Sequence, residues 1–403
     1  MAPVLRPRQS LPKDRFSSHF LNIKSQAYAD PGSTRGVNST QSIRCMAWNP
    51  LGTLVATGSI DKTLRVCKFG SCQKGWIAKC KLSRGWICLQ GEWNWIANTG
   101  ERTGNPEKPH VKFSTELKGH GASVEKVAFN PTKDAELCSV SGDGVVKFWD
   151  VRTKACFNEV KGLGEALSLV WAPDGQTLLV GNRDDVLFVL SPTQPRPLAE
   201  HGQLVQTNQV AFCWGGDKVF AATSEGRTRI LSYPGLEPVL SYIYSRQDEA
   251  AGEDEGPENA AMAGQANGHE RVGPGREFEL HGHTSSCLTV EMQPTARYVA
   301  TGGSDSIISL WDSTDLICQR TISGLAGAVK TISFTFDGSY VVGGSDEGNG
   351  LDVWHVETGE HVHTFKTAGS CPVVAWAPNR YWLAYSDLGV LRIVGVGGEG
   401  ERK

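Results

Sequence analysis

The sequence predicts an all-β fold, a seven-bladed β-propeller, and three observations lead to that prediction. Short apolar runs alternate with turn residues along most of the 403-residue chain. The runs recur in units of about forty residues, a period typical of propellers. Each unit is too small to bury both faces of a sheet, so the units must stack against one another in a closed ring.

The clearest unit runs from Lys118 to Asp150. It opens with Gly119-His120 and closes with Trp149-Asp150, and the runs Val124–Phe129 and Leu137–Val140 lie between them. A second unit has the same frame, from Gly282-His283 to Trp311-Asp312. A spacing of about thirty residues from Gly-His to Trp-Asp is typical of a WD40 blade. The seven units therefore predict a WD40 propeller.

The seventh unit stops after its third run, Val390–Val396. A blade needs four strands, and an open edge strand would invite aggregation. We expect the run His19–Lys24 to supply the missing strand, so that a strand from the N-terminal end closes the ring. The predicted division is a flexible basic tail over residues 1–18 and the propeller over residues 19–403.

Composition excludes several classes of protein. The net charge of −3 and the pI near 6.4 give no basic field for nucleic acid. The N-terminus lacks a signal core and no run is long enough for a membrane span, which predicts a soluble protein in a reducing compartment. The eleven cysteines are scattered through apolar runs, where small core residues are the usual occupants.

In WD40 blades the Gly-His histidine, a serine or threonine, the turn aspartate and the tryptophan form a structural hydrogen-bond network. The matching sets are His120, Ser139, Asp143 and Trp149, and His283, Thr301, Asp305 and Trp311. A catalytic His/Ser/Asp triad is the alternative interpretation. The network is favoured because the set recurs at blade spacing and each indole gains a fixed partner.

Two stretches break the period. Residues 246–276 are rich in glycine, alanine and acid, which predicts a disordered acidic loop. A solvated loop is the simplest interpretation, and a docking or phosphorylation-linked segment is the alternative.

The second stretch, Cys67–Gly104, has no blade pattern and contains four of the twelve tryptophans. Its cysteines lack a CxxC pair, which argues against zinc. We interpret it as a retained intron. Cys67-Lys68-Phe69 can be encoded by TGTAAGTTT, which contains a GTAAGT donor, and Thr103-Gly104 by ACAGGG, which contains an acceptor AG. Splicing would leave a single tryptophan codon and the blade-like sequence TLRVWNPEKP.

The chain resembles the THO complex subunit 3 family, the WD40 subunits of the THO/TREX mRNA-export assembly, in a form close to that of fungi. Four stretches carry the resemblance: Ser141–Cys156, Trp171–Leu190, Ile230–Val239 and Thr301–Thr321. The resemblance implies a non-catalytic nuclear scaffold that docks other THO subunits during co-transcriptional mRNP assembly and mRNA export. It implies that the DEAD-box RNA helicase, the RNA-export adaptor and mRNA are reached indirectly.

Turns between the second and third strands lie on one face of a WD40 propeller, and this chain places charged residues there. The candidate docking residues are Asp61, Lys62, Arg183, Asp184, Glu225 and Arg227. Arg183 and Arg227 are favoured because arginine is enriched at binding hot spots. A merely solvated rim is the alternative for each residue.

Two other function classes were weighed. A WD40 adaptor of another nuclear complex, either a chromatin reader or a ubiquitin-ligase substrate receptor, is the alternative function. An enzyme is not expected, because the sequence has no phosphate loop, nucleophile elbow or histidine-based metal set. We expect no cofactor, metal or small-molecule substrate. Direct RNA binding through Arg6, Arg8, Lys13 and Arg15 would be weak and salt-sensitive.

Overall fold

The computed structural model describes residues 10–21, 23, 25–28, 43–69, 81–82, 85–86, 114–241 and 276–395. These residues form seven four-stranded antiparallel sheets, which are the seven blades, together with one short helix and two small hairpins. The predicted seven-bladed propeller is confirmed.

The described chain begins with the helix α1 (Lys13–Phe20) and the strand β1 (Gln26–Tyr28). The strands of blade 1, from the centre outward, are β2 (Ile43–Trp48), β3 (Leu54–Ser59), β4 (Leu64–Lys68) and β7 (Ser114–Leu117). The hairpin of β5 (Lys81–Leu82) and β6 (Gly85–Trp86) lies between β4 and β7 in the chain. Blade 2 has the strands β8 (Val124–Phe129), β9 (Glu136–Ser141), β10 (Val146–Asp150) and β11 (Ala155–Val160).

Blades 3 and 4 follow in the same order. Blade 3 has the strands β12 (Ala166–Trp171), β13 (Leu178–Asn182), β14 (Val186–Leu190) and β15 (Ala199–Gly202). Blade 4 has the strands β16 (Thr207–Phe212), β17 (Lys218–Thr223), β18 (Arg227–Ser232) and β21 (Glu279–His281). The second small hairpin is formed by β19 (Leu240–Ser241) and β20 (Arg276–Glu277).

Blades 5 to 7 complete the ring. Blade 5 has the strands β22 (Cys287–Met292), β23 (Tyr298–Gly303), β24 (Ile308–Asp312) and β25 (Cys318–Ile322). Blade 6 has the strands β26 (Val329–Phe334), β27 (Tyr340–Ser345), β28 (Gly350–His355) and β29 (His361–Lys366). Blade 7 has the strands β30 (Val374–Trp376), β31 (Leu383–Asp387) and β32 (Val390–Val394), with β1 as its fourth.

The innermost strands meet around the centre of the ring. Each first strand contacts the first strand of the next blade, and β30 contacts β2, which closes the circle. The core is divided in the same way, because each of the seven junctions between blades holds its own cluster of buried apolar side chains. Both faces of every sheet are therefore covered, which explains the continuous apolar character of the second and third strands.

The ring is closed by a strand from the N-terminal end, as expected, but by a different strand. Gln26, Ala27 and Tyr28 pair with Ile393, Arg392 and Leu391 of β32. The prediction that His19–Lys24 forms this strand is wrong, because α1 extends through Phe20. The turn that follows α1 places the next extended residues, 26–28, beside blade 7.

The predicted flexible tail over residues 1–18 is also wrong where the structure describes it. Residues 13–18 belong to α1, and Phe16 and Phe20 are buried against blades 6 and 7. The composition of KDRFSSHF is polar, but its two phenylalanines are four residues apart and therefore share one face of a helix. Burying two such rings contributes roughly 4 kcal/mol, which outweighs the polar composition. Residues 1–9 lie outside the described residues.

The predicted acidic loop interrupts the outer strand of blade 4. Before the interruption in the chain, Val239 donates its backbone N–H to Ile230 O, at 2.9 Å. After it, Glu279, Leu280 and His281 of β21 pair with β18. The hairpin of β19 and β20 joins the two halves, and residues 242–275 lie outside the described residues.

The register of blade 1 shows which position Cys67 occupies. Cys67 pairs with Val55, as Trp149 pairs with Leu137 in blade 2 and Trp311 pairs with Val299 in blade 5. Cys67 therefore stands at the tryptophan position of its blade. By the same register Thr57 occupies the hydroxyl position of Ser139 and Thr301.

This register supports the retained-intron hypothesis, which remains our proposal. Splicing would put a tryptophan at the position of Cys67, where its indole N–H could donate to the Thr57 hydroxyl as Trp149 donates to Ser139. Most of residues 70–113, including most of the proposed intron, lie outside the described residues. Sequencing cDNA across this region tests the hypothesis directly, since transcripts that always retain the segment would contradict it.

A protein-level prediction follows. Replacing residues 67–104 by one tryptophan should raise the melting temperature by several degrees, because the indole N–H gains the Thr57 hydroxyl as a partner. Differential scanning fluorimetry measures the shift. Thr57→Val is the matched control: it should lower the melting temperature in the shortened chain by more than in the present chain. An equal effect in both chains would show that the new tryptophan does not bind Thr57.

Candidate docking face

One face of the propeller is built from two kinds of connection, and we call it the turn face. It contains the turns between second and third strands and the loops that enter each first strand. A backbone bond joins the two in several blades: Gly142 N to Ser123 O at 2.9 Å, Arg183 N to Glu165 O at 2.8 Å, and Ser304 N to Ser286 O at 2.9 Å. These bonds hold each turn against the loop that enters the first strand of the same blade.

The network predicted for blade 5 is complete. Trp311 Nε1 donates to Thr301 Oγ1 at 3.0 Å, and Thr301 Oγ1 lies 2.9 Å from His283 Nε2. His283 Nδ1 lies 3.1 Å from Asp305 Oδ1. One assignment satisfies every donor: the threonine hydroxyl donates to Nε2, and Nδ1–H donates to the carboxylate.

The network of blade 2 is only partly formed. Trp149 Nε1 donates to Ser139 Oγ at 2.8 Å, and His120 Nε2 lies 2.7 Å from the same oxygen. His120 Nδ1 is buried without a hydrogen-bond partner. The expected hydrogen bond from His120 Nδ1 to the Asp143 carboxylate is absent, because this carboxylate accepts from the hydroxyl of Ser141 instead.

The residue that ends the second strand explains the difference between the two blades. Ser141 in blade 2 has a hydroxyl that competes with His120 for the aspartate. Its counterpart in blade 5 is Gly303, which has no side chain. A Cβ atom at Gly303 would lie 2.6 Å from both Asp305 Oδ1 and His283 Nδ1. The glycine therefore leaves the space in which histidine and aspartate meet.

The burial of these residues argues for a structural role. Ser139 is fully buried and Thr301 is 1% exposed, so no substrate could reach either hydroxyl. Burial lowers the pKa of His120 to about 4, and the nearby Lys147 cation acts in the same direction. His120 is thus neutral at pH 7 and acts as a hydrogen-bonding core residue.

The six predicted docking residues do not form a single group. Arg183 and Asp184 lie in the turn of blade 3, and Glu225 and Arg227 lie at the turn of the adjacent blade 4. Asp61 and Lys62 lie on blade 1, which blade 2 separates from blade 3.

One of the six residues, Asp61, stabilises the turn of blade 1 through contacts within the blade. The Asp61 carboxylate accepts from the hydroxyls of Ser59 and Thr63 and pairs with Arg65 at 3.0 Å. Burial alone would raise the pKa of Asp61, but these hydroxyls and the Arg65 cation hold it below its ordinary value. Lys62 is exposed at a backbone φ of 67°, where the turn reverses.

The two favoured arginines already have partners within the chain. Arg183 Nη1 lies 2.8 Å from Glu165 Oε2, and Arg227 Nη1 lies 3.0 Å from Glu279 Oε2. Both guanidinium groups are about half exposed. Within the described residues, Asp184 and Glu225 are exposed and pair with no cation. An exposed ion pair contributes only about 0–1 kcal/mol, so a binding partner can replace it at low cost.

Sequence reasoning missed an exposed leucine at this place. Leu204 is 87% exposed, the highest value among the large apolar residues of the described chain. Its loop is fixed on both sides, by Gln203 N to Asp185 O at 2.6 Å and by Ser224 N to Gln206 O at 3.0 Å. Leu204 therefore lies between the turns of blades 3 and 4. We call Arg183, Leu204 and Arg227 the 3–4 patch.

Similarity to known proteins agrees with this geometry. The family model described as "WD domain, G-beta repeat" matches residues 32–68, 111–150 and 275–312. The fold and these matches define a WD40-repeat β-propeller. The chain is similar to THO complex subunit 3 of Arabidopsis thaliana, with 29% identity over 365 residues that cover 88% of this chain and 92% of that protein. The predicted resemblance to THO complex subunit 3 is confirmed.

Two further proteins are similar to this chain at lower sequence identity. WD repeat-containing protein AAC3 of Dictyostelium discoideum is 26% identical over 332 residues, which cover 82% of this chain and 59% of AAC3. The crystal structure of the Cps50 (Swd1) β-propeller domain of Myceliophteria thermophila superposes with a TM-score of 0.62 at 15% identity. That alignment covers 90% of this chain and 98% of the other, and it supports the fold alone.

The described residues contain no group of three or more His, Cys, Asp or Glu side chains placed to hold a metal ion. The helix of the described chain is not long and apolar enough to cross a membrane.

The two networks predict different costs for losing the turn aspartate. Asp305→Ala should destabilise the fold by about 2 kcal/mol, because it leaves the buried Nδ1 of His283 without an acceptor. Asp143→Ala should cost less than about 1 kcal/mol, since it removes only a local turn bond. Urea denaturation of both variants measures the costs, and equal losses would contradict the observed geometry.

A pH dependence follows from the buried His120, whose Nδ1 has no hydrogen-bond partner. Its pKa in the native state, about 4, lies below the ordinary 6.5, so the unfolded chain takes up a proton first as pH falls. Native stability should therefore drop between pH 6.5 and pH 4, by on the order of 2 kcal/mol. His120→Gln should flatten this part of the stability–pH curve. A curve of unchanged steepness would show that His120 does not contribute to it.

Proposed function

We propose that this protein is a non-catalytic scaffold subunit of a THO complex and docks other THO subunits. The single observation that carries the proposal is the similarity to Arabidopsis THO complex subunit 3 across nearly the full length of both proteins. A function in co-transcriptional mRNP assembly and nuclear mRNA export follows from membership in such a complex. The protein would then be nuclear, and it would reach mRNA, the DEAD-box helicase and the export adaptor through its partners.

The 3–4 patch is the docking surface that the geometry favours. It has one strongly exposed apolar residue, Leu204, in the loop that is bonded to the turns carrying Arg183 and Arg227, and an apolar residue with polar residues around it is typical of an interaction site. Each arginine can exchange its in-chain carboxylate for one on a partner at little cost. The backbone bonds of the loop hold Leu204 in place before binding, so little conformational entropy is lost on docking.

Charge at the patch indicates which partner segments fit. Asp184 and Glu225 stand beside the two arginines, so the patch presents both signs of charge around Leu204. A partner segment with an apolar residue flanked by acidic and basic side chains complements it. Such mixed complementarity sets orientation and specificity more than affinity.

Affinity purification of the tagged protein from nuclear extract tests the complex. After RNase treatment, mass spectrometry should find a stoichiometric set of THO subunits. Recovery of histone-modifying or ubiquitin-ligase subunits instead would overturn the THO assignment in favour of a WD40 adaptor of another nuclear complex.

The patch is tested separately with variants of the same tagged protein. Arg183→Ala, Leu204→Ala and Arg227→Ala combined should reduce recovery of a directly bound THO subunit at least tenfold, since each hot-spot side chain contributes about 1–2 kcal/mol. Leu388→Ala is the control, because Leu388 is a 60% exposed leucine on the same face, in the turn between the second and third strands of blade 7. Full recovery with the triple variant would show that docking uses another surface.

A further inference from the structure

Trp214 lies uncovered on the face of the ring opposite the turn face, which we call the bottom face. The bottom face contains the turns that join first to second strands and third to fourth strands. Trp214 stands in a turn of the first kind, between β16 and β17 of blade 4, and is 59% exposed. This is the highest value for a Phe, Tyr or Trp side chain in the seven blades as the structure describes them. Tryptophan is enriched at contact sites because it offers a large apolar area.

The other blades show that an aromatic residue is unusual at this position. The second residue after the first strand is a proline in five of them: Pro50, Pro131, Pro173, Pro294 and Pro378. Blade 6 has Phe336, which is half-buried because its ring lies 5.0 Å from the ring of Tyr381. Trp214 has no ring or cation against it within the described residues. The turn of blade 4 therefore carries an aromatic surface that the described fold does not use.

Two exposed carboxylates lie in the same turn and in its neighbour. Asp217 ends the turn of blade 4 and accepts from Cys213 Sγ at 3.1 Å. This hydrogen bond is the main reason that the pKa of Asp217 is lowered, so the carboxylate is ionised at pH 7. Asp174 belongs to the turn of blade 3, which adjoins because a Cβ atom at Gly216 would lie 3.5 Å from Pro173 Cδ. Neither carboxylate forms an ion pair within the described chain. We call this group the Trp214 site: Trp214, Asp174 and Asp217.

An arginine side chain matches the chemistry of this site. Its planar guanidinium group stacks on an indole face and donates to a carboxylate at the same time. The bottom face already has one such stacking contact, since Arg380 Cζ lies 4.3 Å from the centroid of the Trp382 ring in blade 7. Two unpaired carboxylates and an uncovered indole therefore favour a basic segment with arginine as the occupant of the Trp214 site.

The N-terminal end of the described chain lies on the same face. Ser10 Oγ is 2.9 Å from Ser339 Oγ, in the turn between the first and second strands of blade 6. Lys13 pairs with Glu360, in the turn between the third and fourth strands of that blade. This end of the chain thus already uses a cation to bind a carboxylate of the bottom face.

Residues 1–9 supply the arginines. Their sequence, MAPVLRPRQ, contains Arg6 and Arg8 and no acidic residue. Cα atoms of adjacent first strands lie within 8 Å of one another from blade 4 to blade 5 and from blade 5 to blade 6. The turns of blades 4 and 6 are therefore about 16 Å apart. Arg6 is four residues before Ser10, a span of about 13 Å when extended, and its side chain supplies the rest. Arg8, with about 7 Å of chain, falls short.

We propose that residues 1–9 bind the Trp214 site of the same chain, with the Arg6 guanidinium stacked on the Trp214 indole and paired with Asp217. The contact covers the indole and neutralises a carboxylate that the described fold leaves unpaired. The tether at Ser10 keeps the effective concentration of the segment high, so a contact that is weak between separate molecules suffices. Docking also withdraws Arg6 from solvent, which reduces the capacity of the basic N-terminal end to attract RNA. The proposal does not depend on membership in a THO complex.

Limited digestion of the full chain with trypsin measures the docking. Trypsin cleaves after Arg8, and it cleaves slowly after Arg6 because a proline follows. When undocking is fast relative to cleavage, the rate tracks the population of the undocked segment. Trp214→Ala should therefore raise the initial rate of cleavage after Arg8 at least fivefold, as measured by mass spectrometry of the released peptide. The same rate in Trp214→Ala and in the unchanged protein would overturn the proposal.

Leu51→Ala is the control for a general effect of removing an exposed apolar side chain. Leu51 is 47% exposed in the corresponding turn of blade 1, on the same face. Its replacement should leave the rate of cleavage after Arg8 unchanged. A rise equal to that of Trp214→Ala would show that the rate reports the stability of the propeller instead of a contact at Trp214, and this outcome overturns the proposal.

Arg6→Ala removes the contact from the other side and leaves every residue of the described propeller in place. It should raise the rate as much as Trp214→Ala, and the double variant should be no faster than either single variant, because both remove the same contact. A synthetic peptide of residues 1–12, with and without the substitution, corrects for the effect of Arg6 on trypsin itself. Rate increases that multiply in the double variant would count against the contact and overturn the proposal.

Protein concentration separates the same chain from a second copy as the source of the segment. The cleavage rate of the unchanged protein should stay constant over about a hundredfold dilution, because the tethered segment binds within one molecule. Protection that is lost on dilution would assign the site to the segment of a second copy and overturn the proposal.

Discussion

The ring closes through one short pairing, and much of the molecule depends on it. Three residues of β1 pair with β32 and cover that edge of blade 7. Tyr28 adds a side-chain contact to the pairing, since its ring lies 5.3 Å from Phe69 at the junction of blades 7 and 1. Burial and the neighbouring Cys67 thiol raise the pKa of Tyr28 to about 12, so it stays neutral there. The return of the N-terminal end to blade 7 also carries α1 to the junction of blades 6 and 7, where Phe16 and Phe20 are buried.

The inner three strands of the blades could be predicted from the sequence because each has neighbours on both faces. Strands such as β13 (LLVGN) and β23 (YVATGG) are buried along their whole length, and they contain no charged residue. The outer strands gave no such signal. Three of the six residues of β11 and four of the five residues of β25 are exposed, and polar side chains such as Asn158 and Arg320 occur in these strands. Their position is dictated by hydrogen bonding to the third strand, which leaves little trace in hydrophobicity.

The N-terminal segment shows a different limit of sequence reasoning. Its polar residues outnumber its apolar ones, and both helical and extended patterns fit so short a stretch. The surface on which Phe16 packs decides the outcome, and this surface is built from residues more than three hundred positions away, such as Tyr340 and Trp376. A helix that folds because of a distant surface cannot be recognised from local propensity alone.

The candidate site divides in the same way. Motif spacing placed His120, Ser139 and Trp149 within one network, because the register of a blade is a local property. It could not show that the Ser141 hydroxyl would take Asp143 away from that network, since both bonds are compatible with the motif. It also placed Arg183 and Arg227 on one face without their carboxylate partners, Glu165 and Glu279. Glu165 lies in the loop before β12 and Glu279 lies in β21, and folding brings them near the arginines.

The 3–4 patch belongs to a stiff ring, because every junction between blades has its own packed cluster. The turns of blades 3 and 4 are also held to neighbouring loops by the backbone bonds Arg183 N to Glu165 O and Ser224 N to Gln206 O. A partner docked on the patch would therefore take one orientation relative to the whole propeller. For a scaffold this is useful, since the geometry of the complex stays constant in whichever order the partners bind.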